Sequence, residues 1–352
     1  MGRLSGLLLG VLVVVVTGCT SALPRAGGSP SPTRTTAATS RGPSSTPSPS
    51  RTPSPTATPI PTPPLPPYYI ESLRAQRRER AMLSIGDDVS CRGYSLCLPG
   101  VHTKRMSWPS GGQTMTGLIS LPDCPGPFPV VVVNHGFIPP ERYSEGQDSL
   151  IFGEPMAQHG FIAVAPHWPG YLGSGPAPPE LPALIGEAVA ALDLVGSLAS
   201  LPQADTGKIA FVGHSNGGGE SLIAMVADPR IKAVVLHGPV SSDMRDNARK
   251  WWLARPGSLG ALGTPESNPA GYDHISPRNY FQAGQPPVLI IQGTADHTIP
   301  REWTEATLAA LKEKGVPSDV KWFPGADHDF GGADLSNAVA AQEAWIRKVL
   351  GI

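Results

Sequence analysis

The twelve residues Lys208-Ile209-Ala210-Phe211-Val212-Gly213-His214-Ser215-Asn216-Gly217-Gly218-Gly219 restrict this chain more than any other stretch. A short apolar run ends in Gly-x-Ser-x-Gly, further glycines follow, and an amphipathic segment, Glu220 to Ala227, comes next. That order reads as strand, very tight turn, helix. Such a turn holds Ser215 in a strained backbone conformation with its hydroxyl clear of the sheet. Gly213 and Gly217 are needed where a side chain would meet neighbouring backbone. The helix after Ser215 aims its first N–H groups, and the positive end of its dipole, at the space in front of that hydroxyl. Gly and Ser are common residues, so the bare pattern also describes an ordinary glycine-rich turn. The rest of the chain decides between the two.

Proline is the compositional oddity: 41 of 352 residues, beside 40 glycines and only 16% charged residues. It is unevenly spread. Residues 20–67 are Ser, Thr or Pro at 33 of 48 positions, with no acid and only Leu23, Ile60 and Leu65 as large apolar residues. Nothing there can build a core, so 19–67 reads as a disordered tether that holds a folded domain away from a surface. A net charge of −1 gives no reason to expect a nucleic acid as partner.

Ahead of the tether, Leu4 to Val16 is apolar, short for a membrane span and suited to a signal-peptide core. It runs into Val16-Thr17-Gly18-Cys19, which resembles the lipobox of bacterial lipoproteins. That resemblance implies removal of residues 1–18, diacylglycerol on Cys19, and attachment to the outside of the cytoplasmic membrane.

The globular part, 68–352, opens with Glu71 to Ser84, read as a polar helix whose Arg74, Arg77, Arg78 and Arg80 form a solvated face, with contact to anionic lipid as the alternative reading. Cys91 and Cys97 suit a local disulfide in an exported protein, which leaves Cys124 over. Val101 to Pro122, with Gly111-Gly112, suggests a hairpin or two leading strands. Strands and helices then alternate: Phe128–Asn134, Leu150–His159, Phe161–Ala165, Ala183–Leu201, the Ser215 strand, Ile231–Leu236, Pro287–Gln292, Glu302–Lys314, Asp319–Phe323 and Leu335–Leu350. This order argues for a mostly parallel sheet with helices on both faces.

A serine hydroxyl is a weak nucleophile at neutral pH. It needs an imidazole to take its proton and a carboxylate to orient that imidazole. In a parallel sheet these groups belong just beyond strand C-termini. The strand Val288–Ile291 leads to Asp296, and the strand Val320–Phe323 leads to His328. Either residue alone fits a surface loop. Together they follow Ser215 in the order Ser…Asp…His, each after a strand. Asp327 and Asp329 are rival acids, less suited because immediate neighbours of a histidine seldom reach its ring. They also suggest a metal cluster, but no second pair of ligands has metal spacing, so neither metal nor cofactor is expected. A tetrahedral oxyanion needs two donors. The backbone N–H of Asn216 is one candidate, and that of Phe137, on the His135-Gly136-Phe137 turn after a strand, is the other.

From about Ser107 onward these pieces resemble an α/β-hydrolase of the dienelactone-hydrolase and prolyl-oligopeptidase-like branch. The matching segments are Asn134-His135-Gly136, Gly213-His214-Ser215-Asn216-Gly217-Gly218, Ile275-Ser276-Pro277, Pro287 to Asp296, and Phe323 to Phe330. The resemblance implies Ser215, Asp296 and His328 as nucleophile, acid and base. Two departures favour an ester over a peptide substrate. The residues before the hydrolase part are too few for the propeller domain that such peptidases carry, and Asn216 stands where they often have an aromatic residue. The connection 238–285 is long enough for a small helical cap or an elaborated loop. Its Trp251 and Trp252, with Trp168 and Tyr171, are candidate substrate contacts. The expected activity is hydrolysis of a small-molecule or polymeric ester through an acyl-Ser215 intermediate. The rival activities are a peptidase or amidase, and a depolymerase of polyester or acylated polysaccharide. A non-catalytic surface binding protein is the reading from a different class.

Overall fold

The computed structural model describes residues 66–352, apart from 79, 80, 92 and 256. The signal segment, the tether up to residue 65 and Cys19 lie outside the described residues.

The period of two in the apolar runs builds the sheet. In β4 (Phe128–Asn134), Val130 and Val132 join one core cluster while Val131 and Val133 join a second on the opposite face. The same alternation runs through β6 (Ala204–His214), β7 (Ile231–His237) and β8 (Val288–Gly293). Strands buried on both faces need cover on both, and the helices supply it. Helices α1 (Ile70–Ala75), α3 (Ala183–Ser197) and α4 (Asn216–Ala227) pack on the first face. Helices α2 (Leu150–Gln158) and α8 (Gly332–Leu350) pack on the second. Segment 183–200 is apolar and long enough to cross a membrane by composition, yet 72% of it is buried within the fold. It is a core helix.

Nine strands form one sheet in the order β1-β2-β3-β5-β4-β6-β7-β8-β9. Here β1 is Ser84–Asp88, β2 Val101–Ser110, β3 Gln113–Pro122, β5 Ile162–Pro166 and β9 Ser318–Phe323. From β5 to β9 every pairing is parallel, and β1 to β3 are antiparallel additions at one edge. The β2–β3 hairpin turns at Gly111-Gly112, both at positive φ (57° and 76°), where glycine is unstrained. Between β7 and β8 lie the short helices α5 (Met244–Lys250) and α6 (Pro269–Ile275). Helix α7 (Arg301–Glu313) links β8 to β9.

Two expectations change. The Arg-rich segment is helical only over Ile70–Ala75, and two of its cations bond to the body of the fold. Arg74 donates to the carbonyls of Val226 (2.7 Å) and Tyr280 (3.2 Å), and Arg78 pairs with Asp193 at 3.1 Å. Arg74 and Arg78 thus tie the segment to the body of the fold, while Arg77 stays exposed and Arg80 lies outside the described residues. Cys91 and Cys97 are bonded as expected, with Cα atoms 5.4 Å apart, but Cys124 is not a free thiol either.

The parallel strands all end at one edge, and the turn after β6 is built there under tight contact. A Cβ on Gly217 would sit 2.2 Å from the Asn134 carbonyl oxygen, and one on Gly213 would sit 2.2 Å from the Gly217 carbonyl oxygen. Backbone cannot yield as a side chain does. Gly217→Ala is therefore expected to cost about 3 kcal/mol, read as a lower midpoint in urea denaturation.

Candidate active site

Ser215 is the residue between β6 and α4, and its φ of 52° and ψ of −115° place it among the few non-glycine residues at positive φ. The surroundings hold that strain. The Ser215 N–H donates to the His237 carbonyl at 2.9 Å, and the Ser215 carbonyl accepts from Gly218 (3.0 Å) and Val240 (3.1 Å). Asn216 opens α4, so its N–H has no partner within the helix.

Asp296 follows β8 and His328 follows β9, and their side chains meet: Asp296 Oδ2 lies 3.0 Å from His328 Nδ1. The other oxygen, Oδ1, accepts the N–H groups of Thr298 (2.9 Å) and Ile299 (2.8 Å). Burial pushes the Asp296 carboxyl up, but the His328 ring and these two N–H groups outweigh it and hold the group below its ordinary value. An ionised Asp296 accepts a hydrogen bond from Nδ1–H, which leaves Nε2 as the basic nitrogen of His328. Gly238, at φ 48°, makes the pairing sterically possible. A Cβ there would lie 3.0 Å from His328 Nδ1 and 3.2 Å from Asp296 Oδ2.

The rival acids do other things. Asp327 accepts the N–H of its own neighbour His328 at 2.7 Å and so shapes the loop. Asp329 has a side chain 89% exposed and lies 3.8 Å from His214 Nε2. Among the described residues His214, His328 and Asp329 offer ligand atoms within 4.8 Å of one another. His214 is engaged through its other nitrogen, where Nδ1 lies 2.7 Å from Asp148 Oδ2, and that carboxylate raises its pKa to about 9.

Ser215, Asn216, His328 and Phe137 line one cavity of about 440 Å³, together with Trp251 and Arg255 from the connection after β7. No hydrogen bond joins Ser215 to His328 among the described residues, a contact that commonly tightens only with substrate bound. The Arg255 guanidinium sits 3.7 Å from the centre of the Phe137 ring.

Three proposed contacts are corrected. Trp168 is 2% exposed, stacks on His135 and donates its indole N–H to Glu220 at 3.0 Å. Tyr171 is buried and donates its hydroxyl to the Ile138 carbonyl at 2.7 Å. Both brace the 135–138 turn from behind. Trp252 is buried in the core cluster. His135 is structural, as its burial between aromatic rings requires; burial pulls its pKa down to about 4 and its Nδ1 faces the Gly136 carbonyl oxygen at 2.7 Å.

Sequence reasoning missed four buried ionisable groups around the site: Asp148, His214, Glu187 and Glu220. Of these only His214, inside the Gly-x-Ser-x-Gly pattern, carried a positional signal. Glu187 Oε2 accepts from the Asn216 side chain at 2.7 Å. Burial, only partly offset by Asn216 and Arg255, raises its pKa to about 8.

With this geometry in hand, the likenesses to known proteins can be read. Residues 187–352 match the prolyl oligopeptidase family, and residues 101–236 match the chlorophyllase family. A Yersinia pestis protein assigned the name carboxymethylenebutenolidase is 25% identical over 267 residues, spanning 72% of this chain and 89% of that protein. Acetyl xylan esterase 1 of a Thermoanaerobacterium species superposes with a TM-score of 0.59 at 17% identity, covering 80% of this chain and 92% of that one. Porphyromonas gingivalis dipeptidyl peptidase 4 superposes at 0.54 and 18% identity, covering 80% of this chain but 37% of the peptidase. The fold is the α/β-hydrolase fold. Relatives of the esterase and peptidase kind on that fold support a serine hydrolase.

The buried Glu187 gives a stability test. An acid whose folded pKa is raised to about 8, from an ordinary value of about 4.3, holds more protons in the folded state than in the unfolded one across that window. Stability therefore falls as pH rises between those values. Glu187→Gln keeps an acceptor for Asn216 and cannot ionise. Its urea midpoint is expected to exceed that of the wild type at pH 8, with the difference vanishing near pH 4.

Proposed function

We propose that the protein hydrolyses carboxylic esters through an acyl-Ser215 intermediate. The observation that carries this reading is the strained Ser215 sharing a cavity with the Asp296–His328 pair. His328 Nε2 takes the Ser215 proton as Oγ attacks the ester carbonyl. The N–H groups of Phe137 and Asn216 are assigned to the oxyanion. The protonated imidazole, steadied by Asp296, then gives its proton to the leaving alcohol. The same nitrogen next activates water, which attacks the acyl-enzyme and frees Ser215 and the carboxylic acid.

Ester is favoured over peptide by coverage. The chain spans 92% of an acetyl xylan esterase and 37% of a dipeptidyl peptidase. The match of 187–352 to the prolyl oligopeptidase family keeps the amide reading as the second one. For the amino terminus, the apolar run and Cys19 support a lipid-anchored protein of the cell envelope, its domain held off the membrane by the tether.

A fluorophosphonate is expected to label wild-type protein and not Ser215→Ala, and nitrophenyl esters are expected to turn over faster than peptide anilides. Asp296→Asn is expected to lower kcat by about 10³-fold or more with the fold intact. Labelling that survives Ser215→Ala, or anilides that outpace esters, overturns the respective part. For the anchor, mass spectrometry of the mature N-terminal peptide is expected to find diacylglyceryl on Cys19; a Cys19 held in a disulfide instead overturns it.

A further inference from the structure

Asp148 takes no part in the proton transfers above, yet its carboxylate holds the residues that directly precede Phe137 and Ser215. One oxygen, Oδ2, accepts the Gly136 N–H at 2.6 Å and faces His214 Nδ1 at 2.7 Å. Gly136 directly precedes Phe137, whose N–H is assigned to the oxyanion. His214 directly precedes Ser215. A single oxygen atom therefore joins the turn after β4 to the turn after β6.

The contact is close on every side. A Cβ on Gly136 would lie 3.0 Å from Asp148 Oδ2, 3.2 Å from His214 Nδ1 and 3.3 Å from Ser215 Cβ. The carbonyl of the Gly136–Phe137 peptide is engaged as well, with His135 Nδ1 2.7 Å from Gly136 O. In a trans peptide the N–H points opposite to the C=O, so holding that carbonyl fixes the direction of the Phe137 N–H. Asp148 itself stands at φ 63°, a left-handed conformation that Asp and Asn tolerate better than other side chains.

We propose that Asp148 and His214 are positioning residues that set the oxyanion hole, by holding the Gly136–Phe137 peptide in register with Ser215. This assignment rests on the ester-hydrolase reading above.

The pair is ionic near neutral pH. Burial pulls His214 down, but the Asp148 carboxylate, its hydrogen bond and the more distant Asp329 push it up to about 9. Burial likewise pushes Asp148 up, and His214 with the Gly136 N–H outweighs it, so its carboxyl is held below its ordinary value. The other titratable groups facing the pair are His135 and Tyr143 after β4, His237 at the end of β7, and His328 with Asp329 on the loop after β9; burial and Asp148 push the Tyr143 hydroxyl up, so it stays neutral. His135 and His237 are each pushed by burial to about 4 and are neutral above that. As pH rises through about 9, His214 loses its charge and the hold on the turn weakens.

The test compares wild type, Asp148→Ala and Asp148→Asn on a nitrophenyl ester, with hydrogen exchange at the Gly136 amide as a readout independent of activity. Asn keeps an acceptor for Gly136 and tolerates the same φ, but gives His214 no counter-ion. Asp148→Ala is expected to lose about 100-fold in kcat with KM within about threefold, the pattern of a lost transition-state interaction. Its Gly136 amide is expected to exchange faster. Asp148→Asn is expected to recover most of kcat and the amide protection, and its alkaline limb is expected to move at least one pH unit towards neutral. A folded Asp148→Ala protein with wild-type kcat and protection overturns the assignment, as does an Asn variant whose alkaline limb stays put. If Asp148→Ala does not fold, the Asn variant's limb decides alone. If the wild type neither labels nor turns over esters, the ester reading fails, while Gly136 exchange in the variants still shows whether Asp148 holds the turn.

Discussion

The crossing of two backbone turns at the end of the sheet is the constraint on which the rest depends. Strands β4 and β6 run parallel with Asn134 opposite Gly213, so the turns that follow them leave the sheet at the same level. They then pass so closely that Gly217 stands where a Cβ would meet both the Asn134 and His135 carbonyl oxygens. Glycine at these positions lets α4 begin directly behind Ser215, and that start presents the Asn216 N–H beside the nucleophile. A wider turn would move Ser215 away from Phe137 and leave one donor out of reach. The apolar sheet beneath, buried on both faces, supplies the rigidity that keeps Ser215 at positive φ.

Burial pushes four acids around this crossing upward, least completely at Asp296, and the donors each one meets separate the states they end in. Asp296 has two backbone N–H groups and an imidazole, and Asp148 has one backbone N–H and an imidazolium; both are held ionised. Glu187 meets one neutral amide from Asn216, and Glu220 one indole N–H, with Glu187 adding repulsion; both are pushed up. Charge is thus confined to the two acids that face histidines. The acid behind Asn216 can remain protonated near neutral pH, which keeps a second negative charge away from the developing oxyanion.

Legibility in the sequence followed the range of the interactions concerned. The strands were readable because β-branched runs such as 130–133 and 288–291 alternate between two cores, a local pattern. The placement of Ser215, Asp296 and His328 at one edge of the sheet was readable because each lies shortly beyond the end of such a strand. Asp148 was not: it sits in an unremarkable polar turn, and its meaning comes from contact with Gly136 and from His214, 66 residues away. Arg74 and Arg78 were misread for the same reason, because their partners Val226 and Asp193 are distant in sequence and show only in the folded chain. Trp168 and Tyr171 sit on loops beside the site, where an aromatic residue reads as a wall of the cavity. Burial and their bonds to Glu220 and Ile138 make them supports for the turn instead.

Strand β7 ties the two halves of the site together. Its last carbonyl, on His237, accepts the Ser215 N–H, and its next residue, Gly238, fills the space beside the Asp296–His328 contact. The same strand therefore braces Ser215 on one side and makes room for the Asp296–His328 pair on the other. Gly238 also donates its N–H to the Ile291 carbonyl of β8, at 2.8 Å, close to the point where the chain departs towards Asp296. A side chain at 238 would push His328 away from Asp296 and would be strained at φ 48° in any case. The spacing between Ser215 and His328, the proposed nucleophile and base, is thus set by backbone, through one carbonyl and one missing Cβ. This leaves the long connection after β7 free to vary the cavity wall through Trp251 and Arg255 without disturbing the reacting groups.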